Sequence, residues 1–367
     1  MEYKVYDDVV VCPLPDRCEL DMEEIENIVT HTHNTWEHNR PISVIRENTI
    51  QGKRAELVIE RLLEEHSTIR YISYDVFRED DFEKHAPFDG IIFNVSISEL
   101  MLKEIVERVN NDVRNCNGDS GIITVETREF LENRGVFTVE IKSSLLQDPR
   151  DYKTMIHKHK NLRTDEDYAA LCGYIKSFYD YFVYPHYCRD NPSIASFYDY
   201  TIYVRRMHPN LASGCSKKDF LFNLLQEEFN NACNVYTRVF FDILSDEIII
   251  PGYVTKARFF EEPRIMKMRS PKSENAIYYM FHMCFGTSIL EIDNDNELRR
   301  WNRLSAYGNL LGARLPRCSS CGNELKLVEA TNNPDDKKHK FLYLCENCQP
   351  KRWSEMNQIH IRNMDAR

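Results

Sequence analysis

Apolar residues at Phe137, Val139 and Ile141 alternate with Thr138, Glu140 and Lys142. A period of two predicts a strand with one packed face, and it sends Glu140 and Lys142 out on the same side. Ala55, Val58, Ile59, Leu62 and Leu63 instead follow helical spacing. They predict a helix that opens at Gln51-Gly52 and ends near Glu65-His66, with Glu56 one residue from its apolar stripe. Ile91-Ile92-Phe93-Asn94-Val95, after Pro87-Phe88-Asp89-Gly90, reads as a buried strand with Asp89 at its start beside a turn.

The same reasoning places weaker elements around these three. Upstream it gives a short strand at Val9–Val11 and a helix from Met22 to Val29. A strand over 69–78 and a helix from Ile97 to Val113 follow, then strand-like Ile122–Glu126. Helices are expected over 151–160, 165–183 and 219–233, and strands over 198–204, 235–243 and 247–250. Tyr174, Phe178, Tyr181 and Phe182 form an aromatic stripe at helical intervals, which reads as core packing. The predicted fold is α/β, a mixed central sheet flanked by helices, with a small C-terminal module. Residues 1–45 form an N-terminal extension, 46–295 the main domain, 296–315 a linker after the polar run Asp293–Glu297, and 316–367 the module and tail.

Composition narrows the function classes. With 367 residues, 42% of them hydrophobic, the chain can bury a large core, and no apolar run approaches the ~20 residues of a membrane span. Met1-Glu2-Tyr3-Lys4 lacks a basic start followed by an apolar stretch, so the expectation is a cytoplasmic protein with no membrane partner and reduced thiols. Most of the scattered cysteines among the twelve are then expected to be small buried hydrophobes. A formal net charge of -11 argues against a nonspecific DNA coat protein. Basic residues are nonetheless clustered at His157–Lys160 with Arg163, at Lys256–Lys272, at Arg299–Arg317 and at Lys337–Lys340. Each cluster suits a solvated face, and together they could line a phosphate-binding groove.

Cys318-Ser319-Ser320-Cys321 and Cys345-Glu346-Asn347-Cys348 carry tetrahedral metal-ligand spacing, and Gly322 permits the turn after the first pair. Leu325–Val328 and Phe341–Leu344 read as paired strands around a polar hairpin over 332–340. This resembles a zinc ribbon. Four thiolates leave no position for a substrate water, so Cys318, Cys321, Cys345 and Cys348 predict structural Zn²⁺. His31-Thr32-His33 and His38 have no fourth ligand nearby and read as a polar loop or helix end.

Glu140 and Lys142 alone could be an exposed ion pair. A carboxylate and an ammonium on one strand face also suit hydrolysis, the first as a ligand for a hard cation and the second as a charge at a water or phosphate. The order helix glutamate, strand aspartate, Glu-x-Lys resembles the PD-(D/E)xK nuclease superfamily, a restriction-endonuclease-like core, over roughly residues 45–290. Gly52 and Glu56 match its Gly-x-x-x-Glu helix, Asp89 its central aspartate, and Glu140 and Lys142 its (D/E)xK pair. Pro87 stands two residues before the aspartate instead of one, and the gap from Asp89 to Glu140 is long. Glu126 with Arg128 is a second candidate inside that gap, with arginine where lysine is wanted.

The resemblance implies that Asp89, Glu140 and the Ile141 carbonyl hold Mg²⁺ or Mn²⁺. Lys142 would orient the attacking water, and Glu56 would serve a second ion or a water of the first. The implied activity is DNA phosphodiester hydrolysis leaving a 5′-phosphate and a 3′-hydroxyl, in restriction or anti-phage defence. A repair or recombination nuclease is the alternative within enzymes, and a non-catalytic zinc-ribbon adaptor for nucleic acid is the alternative outside them. The implied partner is DNA. A homodimer would pair two sites, and any ATP-driven motor would be a partner subunit, because no Gly-x4-Gly-Lys-Ser/Thr loop occurs in the chain.

Overall fold

A computed structural model describes residues 2–35, 40–118, 121–146, 159–178, 203–214, 229–256 and 286–294, four residues between 220 and 227, and the backbone of strands within 265–281, 326–344 and 360–363. The chain forms two compact units. The first comprises Met1–Asp180, Cys233–Thr255 and Cys284–Asn302; the second comprises Tyr181–Ala232, Lys256–Met283 and Arg303–Arg367.

In the first unit the order is β1 (Lys4–Tyr6), β2 (Val9–Pro13), α1 (Met22–Thr35), α2 (Ile42–His66), β3 (Ile69–Ser73), α3 (Tyr74–Phe77) and β4 (Gly90–Asn94). Then come α4 (Glu99–Asn115), α5 (Val125–Glu132), β5 (Val136–Leu145), α6 (Asp165–Phe178), β6 (Val235–Asp242), β7 (Glu247–Ile250) and β8 (Tyr253–Thr255). The eight strands make one mixed sheet in the order β1-β2-β7-β6-β5-β4-β3, with β8 on the free half of β6. β5 and β6 run parallel and every other pair is antiparallel. A parallel pair needs a long crossover, and α6 lies in that connection. The α/β class with a mixed sheet flanked by helices is therefore as expected.

Two hydrophobic layers hold the sheet. Tyr168, Leu171, Cys172 and Ile175 of α6 pack on Val9, Val11, Phe240 and Ile249, with Tyr174 at the margin. α2 buries Ala55, Val58, Ile59, Leu62 and Leu63, the stripe read from spacing. Four such aliphatic side chains larger than alanine contribute roughly 6–12 kcal/mol by burial. That anchorage fixes the azimuth of the helix, and with it the place of Glu56 at the border of the core.

Several predictions of local structure are corrected. α2 begins at Ile42, well before Gln51, because Ile45 and Ile50 pack against Ile25 and Val29 of α1. α1 runs on past Val29 to Thr35, which puts His31 and His33 toward its C-terminal end, in keeping with the helix-end reading. The strand expected over 69–78 stops at Ser73, and α3 follows it. Ile122–Glu126 is not a strand. Thr124 caps α5 by accepting from the Thr127 amide (3.2 Å) and is itself held by Asp112, which overrides the β-branched run. That removes Glu126 and Arg128 as a rival pair. Residues 203–207 are helical where a strand over 198–204 was predicted; 198–202 lie outside the described residues.

In the second unit β9 (Ile265–Ser270) pairs with β10 (Ser273–Phe281). β11 (Lys326–Thr331) pairs antiparallel with β12 (Lys340–Leu344), setting Leu327 opposite Tyr343, and β13 (His360–Asn363) adds a third strand. The hairpin matches the two strands expected between the cysteine pairs. Cys318, Cys321, Cys345 and Cys348 lie outside the described residues. Among the described residues no helix is long and apolar enough to cross a membrane.

Candidate active site

Glu140 and Lys142 sit where β4 leaves β5. The ladder pairs Gly90 with Val139 and continues one step, as the Asp89 amide donates to the Val139 carbonyl (3.0 Å). There the backbone pairing stops and a side chain replaces it: the Ile141 amide donates to Asp89 Oδ2 (2.5 Å). Beyond that point β5 has β6 on one side only, so residues 140–144 are half-buried while 136–139 are buried. The opening follows from Asp89 standing at the first turn before β4, as its position after Pro87-Phe88 suggested.

The turn itself is fixed from the other side. The Asp89 carbonyl accepts from the Tyr74 amide (2.9 Å) and from the Tyr71 hydroxyl (3.1 Å). Gly90 leaves no room for a side chain, since a Cβ there would meet the Tyr71 ring and lie 2.6 Å from the Ile72 carbonyl oxygen. Backbone pressed against ring and carbonyl is the reason for glycine here.

The Lys142 ammonium is bound to Glu140 Oε1. The other oxygen, Glu140 Oε2, lies 3.9 Å from the Cys233 thiol. Tyr236 stands beside Glu140 on β6, and its hydroxyl accepts from the Cys233 amide (2.8 Å). Burial pushes the Tyr236 phenol well up, with the charges of Cys233 and Glu140 adding to it.

Burial raises the Asp89 carboxyl well above the usual range; the charges of Glu140 and Glu56 push it further, against Lys142 and the Ile141 amide. Two acids remote in sequence, Glu140 and Glu56, thus act on Asp89 through their charge. α2, which carries Glu56, is tied to β5 by Gln51 Nε2 donating to Ser143 Oγ (2.9 Å). Glu56 has its own pKa raised, by burial and by Asp75, against the pull of Lys53 and Ser73.

Lys53 and Asp75 were missed in the sequence. The Lys53 ammonium, 13% exposed, bridges Glu24 (3.3 Å), Glu56 (3.3 Å) and Asp75 (2.7 Å). The spacing of three between Lys53 and Glu56 was a usable signal; Asp75 and Glu24 arrive only through the fold. Two basic residues assigned to a phosphate groove are instead internal. The Arg163 side chain is 1% exposed and pairs with Asp242 (2.6 Å) and Glu247 (3.3 Å). Lys256 is also buried, over the ring of Phe229 in the second unit. Both leave the groove hypothesis, because burial removes their charge from any ligand. Among the described cysteines Cys12, Cys172 and Cys233 are buried, Cys116 is half-buried and Cys18 is exposed.

Among the described residues no three His, Cys, Asp or Glu side chains already close around one point as a metal cage. The donor set still suits a hard divalent cation in kind, with the carboxyls of Asp89 and Glu140, the adjoining carbonyl of Ile141, and an Asp89 carboxyl whose charged form is disfavoured by burial and by neighbouring acids.

The raised pKa values of Asp89 and Glu56 have a pH signature. A carboxyl whose folded pKa is raised contributes stability that is present below its unfolded pKa and lost as pH rises through the folded value. Asp89 and Glu56 should therefore make the protein less stable at pH 8 than at pH 5 in buffer free of divalent cations. Asp89→Asn keeps an acceptor for the Ile141 amide and removes the charge. We expect it to stabilise the cation-free protein at pH 8 by about 0.5–2 kcal/mol. Urea melts at the two pH values check this, and destabilisation of Asp89→Asn at pH 8 would contradict it.

Comparison of the chain with protein-family models, with curated proteins and with solved structures finds no match.

Proposed function

We propose that the chain is a Mg²⁺-dependent endonuclease that hydrolyses DNA phosphodiester bonds. One observation carries the reading: where β4 and β5 part, the buried carboxyl of Asp89 feels the charges of Glu140 and Glu56, and Asp89 Oδ2 is tied to the Ile141 amide between Glu140 and Lys142, which share one strand face. A structural ion pair would not need the buried Asp89 charge beside it. Groups kept at a cost to the fold are candidates for chemistry.

Asp89, Glu140 and the Ile141 carbonyl would hold the cation. When bound, Mg²⁺ or Mn²⁺ supplies Lewis-acid polarisation of the scissile phosphate. The chain's residues do the rest. Asp89 is locked by the Ile141 amide, so its free oxygen has one direction. Lys142, on the same strand face as Glu140, would hold the attacking water and face the charge that develops on the phosphate oxygens. Glu56 adds an acceptor for a water at the edge of the pair. In-line attack at phosphorus breaks the P–O3′ bond, leaving a 5′-phosphate and a 3′-hydroxyl.

Cys318, Cys321, Cys345 and Cys348 are proposed to hold structural Zn²⁺ in a ribbon built on the β11–β12 hairpin, supported by their spacing and by that pairing. Invading DNA is the proposed substrate in the cell.

Incubation with supercoiled plasmid, linear duplex and single-stranded DNA tests the reading. We expect Mg²⁺-dependent cleavage of at least one, with ends that a ligase accepts and that phosphatase treatment makes labelable by polynucleotide kinase. Absence of cleavage of all three with Mg²⁺ and with Mn²⁺ would sink it.

A further inference from the structure

We infer that Lys53 restricts the site to a single divalent cation, its ammonium occupying the place between Glu56 and Asp75 that a second ion would need. The inference rests on the reading of Asp89 and Glu140 as the first ion's ligands, and it concerns the other half of the acidic cluster.

Four oxygens surround Lys53 Nζ: Asp75 Oδ2 (2.7 Å), Glu56 Oε2 (3.3 Å), Glu24 Oε1 (3.3 Å) and Ser73 Oγ (3.4 Å). An ammonium has three donors and no acceptor, so carboxylate oxygens turned toward it are turned toward a point positive charge. Asp75 has no oxygen to spare. Its Oδ1 is taken by Arg78 NH1 (3.0 Å), and Arg78 is itself clamped on Asp80 through Nε (2.8 Å). Three carboxylates, at 2.7, 3.3 and 3.3 Å, favour the charged form of this ammonium. To bind a second Mg²⁺ through Glu56 the chain would have to expel a buried, protonated lysine from its oxygen cage. Mg²⁺ also demands near-octahedral geometry and sheds its water reluctantly.

At Asp89 and Glu140 the balance differs. There the Lys142 ammonium lies on Glu140 Oε1, while Asp89 Oδ2 is held by a neutral backbone amide, that of Ile141. The first ion belongs there on the proposed function, and the Glu56 side already has a cation of its own. Glu56 then acts as a positioning residue held by Lys53, not as a ligand of a second ion.

Counting bound Mn²⁺ on the full chain, by calorimetry and by the loss of free-ion paramagnetic resonance, tests this without reference to activity. Wild type should bind one ion, lost in Asp89→Ala. Lys53→Met should bind two, and adding Glu56→Gln to it should return the count to one. If Lys53→Met does not fold, Glu56→Gln alone decides: the count must remain one. A wild-type count of two that falls to one in Glu56→Gln overturns the inference, as does a count of one in folded Lys53→Met. A wild-type count of zero instead overturns the underlying reading of Asp89 and Glu140.

Discussion

Lys142→Ala should lower Mg²⁺-dependent DNA cleavage by about 10³-fold, in the range seen when a positioned proton-transfer group or a charge at the reacting centre is removed. The same variant should bind Mn²⁺ at least as tightly as wild type. In the ion-free protein Lys142 lies on Glu140 Oε1, so it competes with any cation for that carboxylate. Removing it takes from Asp89 and Glu140 a positive charge that eases the Asp89 carboxyl. Glu140→Ala should behave differently and lose both cleavage and ion binding. Lys142→Arg should not rescue, because a planar guanidinium prefers a bidentate grip on Glu140 and cannot place a compact charge at the same point. Single-turnover nicking of plasmid and Mn²⁺ calorimetry separate the two effects. Cleavage by Lys142→Ala within tenfold of wild type, with the fold intact, would remove lysine from the mechanism and favour a non-catalytic ion pair.

The elements that carry this site were legible where a single periodicity decided them. The C-terminal part of α2 buries a face whose residues repeat at about three and a half, and β4 is a short apolar run bounded by a turn. Alternation located β5, but its burial does not alternate, since 136–139 are buried on both faces and 140–144 half-buried on both, in place of the one packed face expected. Elements decided by distant partners were not. The first turns of α2 expose Ile42 and Val44 and are held by α1, by Leu20 and by Arg17 on Glu47, so no local stripe announces them. That β1 and β2 extend the sheet depends on Val10, Val11 and Cys12 meeting Ile250, Ile249 and Ile248, a register set by residues far along the chain. Within the site, residue types and order pointed to Glu56, Asp89, Glu140 and Lys142. Lys53 and Asp75 escaped because their meaning comes from an ion cluster assembled from α1, α2 and α3. Arg163 was misplaced for the converse reason. A basic residue beside His157–Lys160 reads as surface, and only the β6–β7 hairpin supplies the acids that draw it in.

That misplacement defines the second large effect, one of stability. Arg163→Met should destabilise the first unit by about 3–5 kcal/mol, the usual cost of removing one partner of a buried ion pair. Asp242 is fully buried, and Arg163 NH2 stands 2.6 Å from its Oδ2. Methionine keeps the aliphatic stem but leaves Asp242 charged in a low-dielectric surround, where an unpaired carboxylate is costly. Glu247 is better placed to survive the change. Its two oxygens also accept from the Tyr168 hydroxyl (2.8 and 2.9 Å), and it lies at the open end of β7. The double variant Arg163→Met with Asp242→Asn should therefore recover much of the loss, since the charge that needed the arginine is gone. A double-mutant cycle from urea melts measures this directly. Equal destabilisation in the single and double variants would mean that the guanidinium's place over Tyr168, whose ring centroid lies 5.5 Å from the guanidinium carbon, outweighs its pairing with Asp242. Because Asp242 ends β6, beside the strand that bears Glu140 and Lys142, the single variant should also lose Mn²⁺ binding cooperatively with unfolding, at the same urea midpoint.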